Sequence, residues 1–323
     1  MSGPSPRSQP SGLSPMDGLL VLMVIAWGAN YSLLKRAFEE IAPAAFNTLR
    51  MAFSSAVFLA GIWFARRRAG RSTAGPSSVF YTPHALTSRD RWDLLWLGVV
   101  GHCLYQLFFA GGLARTSASN AALIFGASPV AVAIMTAAIG HERVGRLHWL
   151  GAVLSTAGIY FVVGQGVATG GGTLFGDLLM LCAVACWSIY TIGGGRLMSR
   201  HSPLFVTGMT MAIGTVPYAM LAIPQLVRVD WSHVSATVWL MLFPSGLFAL
   251  NFAFLVWYTA VQKLGPARTS IYSNAVPLVA MITAAIFLKE PITGSKLVGV
   301  AAVLAGVVLT RIQKPVRASS PKP

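Results

Sequence analysis

Apolar runs of about 20 residues, separated by short polar segments, occupy nearly the whole chain. A helix needs about 20 mostly apolar residues to cross the hydrocarbon core of a bilayer. On that measure, membrane spans are predicted near 16–36, 44–65, 92–113, 116–139, 147–164, 176–198, 203–224, 236–262, 266–288 and 293–311. The runs are long and unbroken, whereas a membrane β-barrel alternates apolar and polar positions over short segments. Backbone groups in lipid must be satisfied within their own segment, so the spans are read as helices. The expected fold class is all-α integral membrane, with ten transmembrane helices.

Composition supports this reading. Of the 323 residues, 55% are hydrophobic and only 10% charged, against roughly 25% charged in a soluble domain. The net charge of +15 raises the question of nucleic acid, but the distribution speaks against it. The cations sit in short clusters between apolar runs, as at Arg66, Arg67, Arg68 and Arg71, and form no stripe along a polar element. Orientation follows from the same clusters, because cytoplasmic loops carry the excess of Lys and Arg. With the N-terminus cytoplasmic, 17 of the 24 Lys and Arg fall on the cytoplasmic side and 6 on the other, with Arg50 left inside a span. Both termini are therefore expected in the cytoplasm. The first apolar run ends in Lys35-Arg36 without a small-residue cleavage site, so it is read as an uncleaved span and not a signal peptide. Cys103, Cys182 and Cys186 lie inside apolar runs and fit no metal or disulfide spacing.

The chain also repeats itself. Gly98, Pro129, Glu142, Gly151 and Gly158 meet Gly246, Pro277, Glu290, Gly299 and Gly306 at a constant offset of 148. Earlier in each half the offset is 160: Trp27 meets Trp187, Pro43 meets Pro203, and Met51-Ala52 meets Met211-Ala212. The long loop 66–91 absorbs the difference. Each half then holds five spans, an odd number, so the second half enters the membrane inverted, a transporter architecture. The expected organisation is a disordered tail at 1–15, a first repeat at 16–164, a linker at 165–175, a second repeat at 176–311 and a basic tail at 312–323.

These residues resemble the ten-helix, EamA-like members of the drug/metabolite transporter superfamily, over roughly 16–311. The resemblance rests on Trp27, on the Ala-Phe-Asn-Thr-Leu-Arg stretch ending at Arg50, on Ser-Pro-Val at 128–130 ahead of Glu142, and on Gly151 and Gly158. The second repeat supplies Val-Pro-Leu at 276–278, Lys289-Glu290-Pro291, Gly299 and Gly306. One departure is Thr210, which stands where the first repeat has Arg50. The resemblance implies a cavity between the first four helices of each half, with the fifth and tenth outside it.

Within the spans, the candidates for the cavity wall are Trp27, Asn30, Asn47, Arg50, His102, Tyr105, Gln106, Asn120, Trp187, Tyr190, Asn251 and Asn274. An intramembrane charge is costly and tends to face a cavity or a partner. Arg50 is thus either a contact for an anionic substrate group or an arginine snorkelling to the nearer surface. His102 and Gln106 share a helix face, and His102 is either a proton site or a packing residue. The asparagines either bind substrate or bridge helices. Pro129 and Pro277 interrupt helices at matching places and are candidate hinges or static kinks. Glu142 and Glu290 precede helix starts, whose exposed N–H groups a carboxylate complements; ion coupling is the alternative. Gly193, Gly194 and Gly195 are expected to loosen the end of the sixth span.

No phosphate-binding loop, zinc-protease motif or nucleophile elbow is present, so no cofactor and no metal are expected. The nine acids all fall near span ends, which disfavours a membrane enzyme. The resulting expectation is a secondary transporter in the bacterial inner membrane that exports small metabolites, amino acids or related compounds, by alternating access. Uptake and flipping of a lipid-linked group are the alternatives; a structural membrane subunit is a distant one. Expected partners are a small-molecule substrate and membrane lipids, with room for a homodimer, and no nucleic acid.

Overall fold

The computed structural model describes residues 15–69, 79–138, 173–264 and 272–312, with isolated positions at 150–151, 153–154, 157–158 and 269. Glu142, both chain ends and most of the expected fifth span and of the 165–175 linker lie outside the described residues. The described elements are all helices: α1 (Pro15–Ala37), α2 (Pro43–Ala69), α3 (Ser88–Arg115), α4 (Ala118–Phe125), α5 (Ser128–Ala138), α6 (Leu174–Met198), α7 (Pro203–Arg228), α8 (Ala236–Lys263), α9 (Val276–Phe287) and α10 (Gly294–Ile312). Six of them, α1, α2, α3, α6, α7 and α8, are each long and apolar enough to cross a bilayer alone. Large apolar side chains stand exposed along their outer faces, such as Val21, Leu22 and Ile25 on α1 and Val216, Met220 and Val227 on α7. In water that surface would be an aggregation liability; in lipid it is the solvent-matched face.

The sequence marks the helix starts. Thr87, Ser117, Thr173, Ser202 and Ser235 each accept an N–H from the first turn of α3, α4, α6, α7 and α8. At α3 the cap is reciprocal, with Asp90 accepting from the Thr87 N–H. The buried Asp90 carboxylate also faces Arg200 and His201, both at 3.4 Å, and so ties α3 to the end of α6. α6 continues unbroken through the glycines at 193–195 to Met198.

Two expected spans are discontinuous. Residues 116–139 form α4, a turn at Gly126–Ala127, and then α5. In the second half a turn at Asn274–Ala275 precedes α9 at the matching place. Pro129 and Pro277 therefore do not kink a running helix. Each lies in the first turn after a break, where a missing N–H costs no intrahelical bond. Two long helices also carry π-helical segments at matching places, Val99–Leu104 in α3 and Ser245–Phe252 in α8. Such segments leave backbone groups to be satisfied from outside the helix.

The halves interlock. α1 of the first half lies against α8 and α9 of the second, α6 of the second lies against α3, α4 and α5 of the first, and α2 lies against α7. The short connection between α3 and α4 is held by charges from two other elements. Lys35 Nζ donates to the carbonyls of Leu113, Ala114 and Thr116 at 2.7–3.3 Å. Glu290 accepts from the Ala118 N–H at 2.8 Å and from the Ser119 N–H and hydroxyl at 3.3 and 2.7 Å. Each charge has the sign that suits its helix end. Glu290 thus caps α4 of the other half, not the helix that follows it. Lys289, at a left-handed φ of 55°, turns the chain there.

Candidate functional site

Helical spacing gathers the site from several elements. Trp27, Asn30 and Tyr31 are three and four residues apart on α1, and Tyr105, Gln106 and Phe109 are so placed on α3, directly after its π segment. α6 supplies Trp187, α4 Phe125, and α8 Leu250, Phe254 and Trp257. These side chains, with Arg50 of α2 and the two helix breaks at Gly126, Ser128, Ser273 and Val276, enclose a cavity of about 50 Å³. That holds a few waters at most, against at least about 300 Å³ in pockets that bind small molecules. Its aromatic walls leave little room between them.

The walls are a continuous aromatic cluster. Trp27 packs edge-on to Trp187 at 5.8 Å and tilted on Trp257 at 5.6 Å. Trp187 meets Phe254 at 5.3 Å and Tyr105 at 5.6 Å. The Trp27 indole donates to the Ala249 carbonyl at 3.0 Å, a backbone group of the π segment in α8. The Trp257 indole N–H is buried and has no acceptor among the described residues.

Arg50 is the charged member, and it is 1% exposed. Its side chain turns inward and does not snorkel. Nε and Nη2 donate to Asn47 Oδ1 at 3.1 and 2.5 Å, Nη2 to Gln106 Oε1 at 2.9 Å, and Nη1 to Ser245 Oγ at 3.1 Å. Ser245 in turn donates to Asn30 Oδ1 at 2.6 Å. Every one of these partners is neutral. No carboxylate lies within 4.0 Å of Arg50 among the described residues. A buried charge without a counter-charge is costly, and here it stands in the wall of a cavity.

Of the residues singled out in the sequence, Trp27, Asn30, Arg50, Tyr105, Gln106 and Trp187 line this cavity. Asn47 stands behind it, orienting Arg50. His102 and Tyr190 lie elsewhere, in a buried triad with Thr210: His102 Nε2 is 3.2 Å from Tyr190 Oη and 3.1 Å from Thr210 Oγ1. Asn251 exchanges two hydrogen bonds with Ser54, at 2.8 and 2.9 Å, and bridges α8 to α2. Asn120 lies in the first turn of α4, and Asn274 in the turn before α9. Pro129 and Pro277 adjoin the cavity through their neighbours Ser128 and Val276. The sequence reading passed over Tyr31, Phe109, Phe125, Ser245, Phe254 and Trp257. Helical spacing from Trp27 and Tyr105 pointed to Tyr31 and Phe109, and the 148-residue offset carries Phe109 onto Trp257. Nothing local marks Ser245, which meets Arg50 only through the packing of α8 on α2.

The chain is similar to known proteins. A family model described as "EamA-like transporter family" matches it twice, at residues 14–164 and 174–312. A Bacillus subtilis (strain 168) protein named uncharacterized transporter YyaM is 27% identical over 293 residues, covering 90% of this chain and 91% of that one. A Streptantibioticus cattleyicolor protein named probable terminal-alkyne amino-acid exporter is 25% identical over 303 residues, covering 92% and 93%. A solved crystal structure, 19% identical, superposes with a TM-score of 0.62 over 91% of this chain and 96% of its own, and so shares the fold.

Proposed function

Because the chain belongs to the EamA-like transporter family, and so is a multi-pass membrane transporter of a small molecule, we propose that its substrate is a small carboxylate-bearing metabolite, an amino acid or close relative, exported across the bacterial inner membrane. One observation carries this reading: the buried Arg50 guanidinium lies in the cavity wall with only neutral partners. A substrate carboxylate supplies the missing counter-charge, through the one guanidinium N–H that Asn47, Gln106 and Ser245 leave free. The three tryptophans suit the rest of such a molecule, either an apolar side chain or an ammonium group held against aromatic faces. The amino-acid exporter among the relatives agrees in substrate class and direction.

Two interlocked halves of opposite orientation, ten spans and cytoplasmic termini complete the proposal. Alternating access then needs the walls to part first toward one side and then toward the other. Without a nucleotide-binding loop in the chain, the reading is a secondary carrier or one that depends on an outside partner.

The test is binding to purified, folded protein. Charged hydrogen bonds contribute about 1.5–3 kcal/mol, so Arg50→Gln should weaken amino-acid binding tenfold or more, with Arg50→Lys intermediate. An amino-acid methyl ester, which lacks the carboxylate, should bind parent protein and Arg50→Gln alike. Unchanged affinity for the free amino acid in Arg50→Gln would exclude the recognition role. Accumulation in everted vesicles, with and without a proton gradient, reports direction and coupling.

A further inference from the structure

A second space opens on the outer face of the bundle. Between α2, α8 and the segment 79–83 runs a groove of about 1010 Å³. Its walls are mostly apolar, with Phe58, Phe64, Phe80, Leu247, Phe248 and Phe252 prominent among them, and Tyr81 and Asn251 also line it. Along α2 its lining runs from Val57 to Ala69, and from Val57 to the charged Arg68 is eleven residues. At 1.5 Å per residue that is roughly 16 Å, close to the roughly 15 Å depth of one leaflet's hydrocarbon. The charged end of the groove thus falls at headgroup level.

The three consecutive arginines at that end are not alike. Arg66 lies over the Phe205 ring at 5.3 Å and Arg67 over the Trp63 ring at 3.8 Å. Arg68 has no such ring, no carboxylate and no hydrogen-bond acceptor among the described residues, and it is the one that lines the groove. We infer that this groove is a binding site for an anionic glycerophospholipid, with an acyl chain against the phenylalanines and the headgroup phosphate on Arg68. A phosphate matches the unmatched guanidinium, and a chain of one leaflet's depth matches the length of the apolar wall. The site is separate from the central cavity and does not depend on what is transported.

The experiment is native mass spectrometry of the purified protein with phosphatidylglycerol and phosphatidylcholine of identical chains. A basic residue near the membrane surface contributes about 1 kcal/mol toward anionic lipid, so phosphatidylglycerol should be retained about fivefold more tightly. Arg68→Gln should erase that preference, Arg68→Lys should keep most of it, and Arg67→Gln should keep all of it. Gly61→Leu, which fills the groove wall, should weaken both lipids. Glycerol 3-phosphate alone should not compete, because it lacks the chains. Equal retention of the two lipids by the parent protein, or an undiminished preference in Arg68→Gln, overturns the proposal; so does effective competition by glycerol 3-phosphate.

Discussion

Arg50 and Thr210 occupy matching places in the two halves, yet only Arg50 is charged. Around Thr210, His102 of the first half and Tyr190 of the same half as Thr210 close a buried triad. Around Arg50 the corresponding packing offers Ser245, Gln106 and Asn47, which orient the guanidinium without neutralising it. The same place in a duplicated fold thus holds a charge without a counter-charge in one half and a packed hydroxyl in the other. Glu290 is a second case at this scale. Burial alone would raise its pKa, but hydrogen bonds from Ser119 and Ala118 and the nearby Lys296 ammonium outweigh burial and hold the carboxyl below its ordinary value of 4.5. A group whose folded pKa is lowered adds stability that is present above its unfolded pKa and lost as pH falls through the folded one. Glu290→Gln should therefore cost about 0.5–2 kcal/mol at pH 7, the range for a lost helix cap. The gap from the parent should narrow as pH falls from about 5 toward 3. Thermal unfolding in detergent at several pH values measures it, and a gap independent of pH would refute the charged-cap account.

At the scale of the element, close approach of backbones decides where glycine is required. A Cβ on Gly214 of α7 would lie 2.3 Å from the Gly98 carbonyl oxygen and 2.5 Å from His102 Cβ, against the π segment of α3. These are backbone and near-backbone atoms, which cannot swing aside. Gly214→Ala should lower stability by about 1–3 kcal/mol or more, as overpacking does. Gly195 of α6 meets nothing within 4 Å, so Gly195→Ala should be tolerated and gain up to about 1 kcal/mol in helix stability. Yields of folded, monodisperse protein and unfolding midpoints separate the two; equal behaviour would mean that α7 and α3 are less tightly apposed. The breaks at Gly126–Ala127 and Asn274–Ala275 obey a different rule. They place non-helical backbone beside the cavity, where polar groups can face substrate instead of lipid.

For the whole molecule, the duplication is visible in contacts between matching residues. Ser55 and Thr215, 160 residues apart, share a hydrogen bond of 2.9 Å, and Trp27 packs on its counterpart Trp187. Gly98 packs against Ile213 and the Thr210 carbonyl, and its counterpart Gly246 packs against Phe53 and the Arg50 carbonyl. Matching residues that touch each other lie beside a pseudo-two-fold axis, which therefore passes between α2 and α7 and close to the cavity. If that axis lies in the membrane plane, loops at matching places face opposite compartments. In a chain cleared of its native cysteines, His84→Cys should react with an impermeant thiol reagent only from the cytoplasmic side and Ser232→Cys only from the periplasmic side. Labelling of both from one side would refute the inverted arrangement.

The sequence by itself determined the class and the family. Apolar runs of membrane length, Lys and Arg that fall between the runs with the exception of Arg50, and matches at fixed offsets are properties of covalent order, and lipid leaves helices as the reading for such runs. It also named Trp27, Asn30, Arg50, Tyr105, Gln106 and Trp187, because polar and aromatic residues at helical spacing stand out in an apolar run. Only the tertiary structure decided which named residues meet. It sent His102 and Tyr190 into a triad with Thr210, Asn251 to a bridge with Ser54, and Glu290 to the start of α4. It also brought Ser245 to Arg50 across 195 residues of chain. Spacing along one helix fixes a face, but which helix that face meets depends on how two interlocked halves pack, and no local pattern records that.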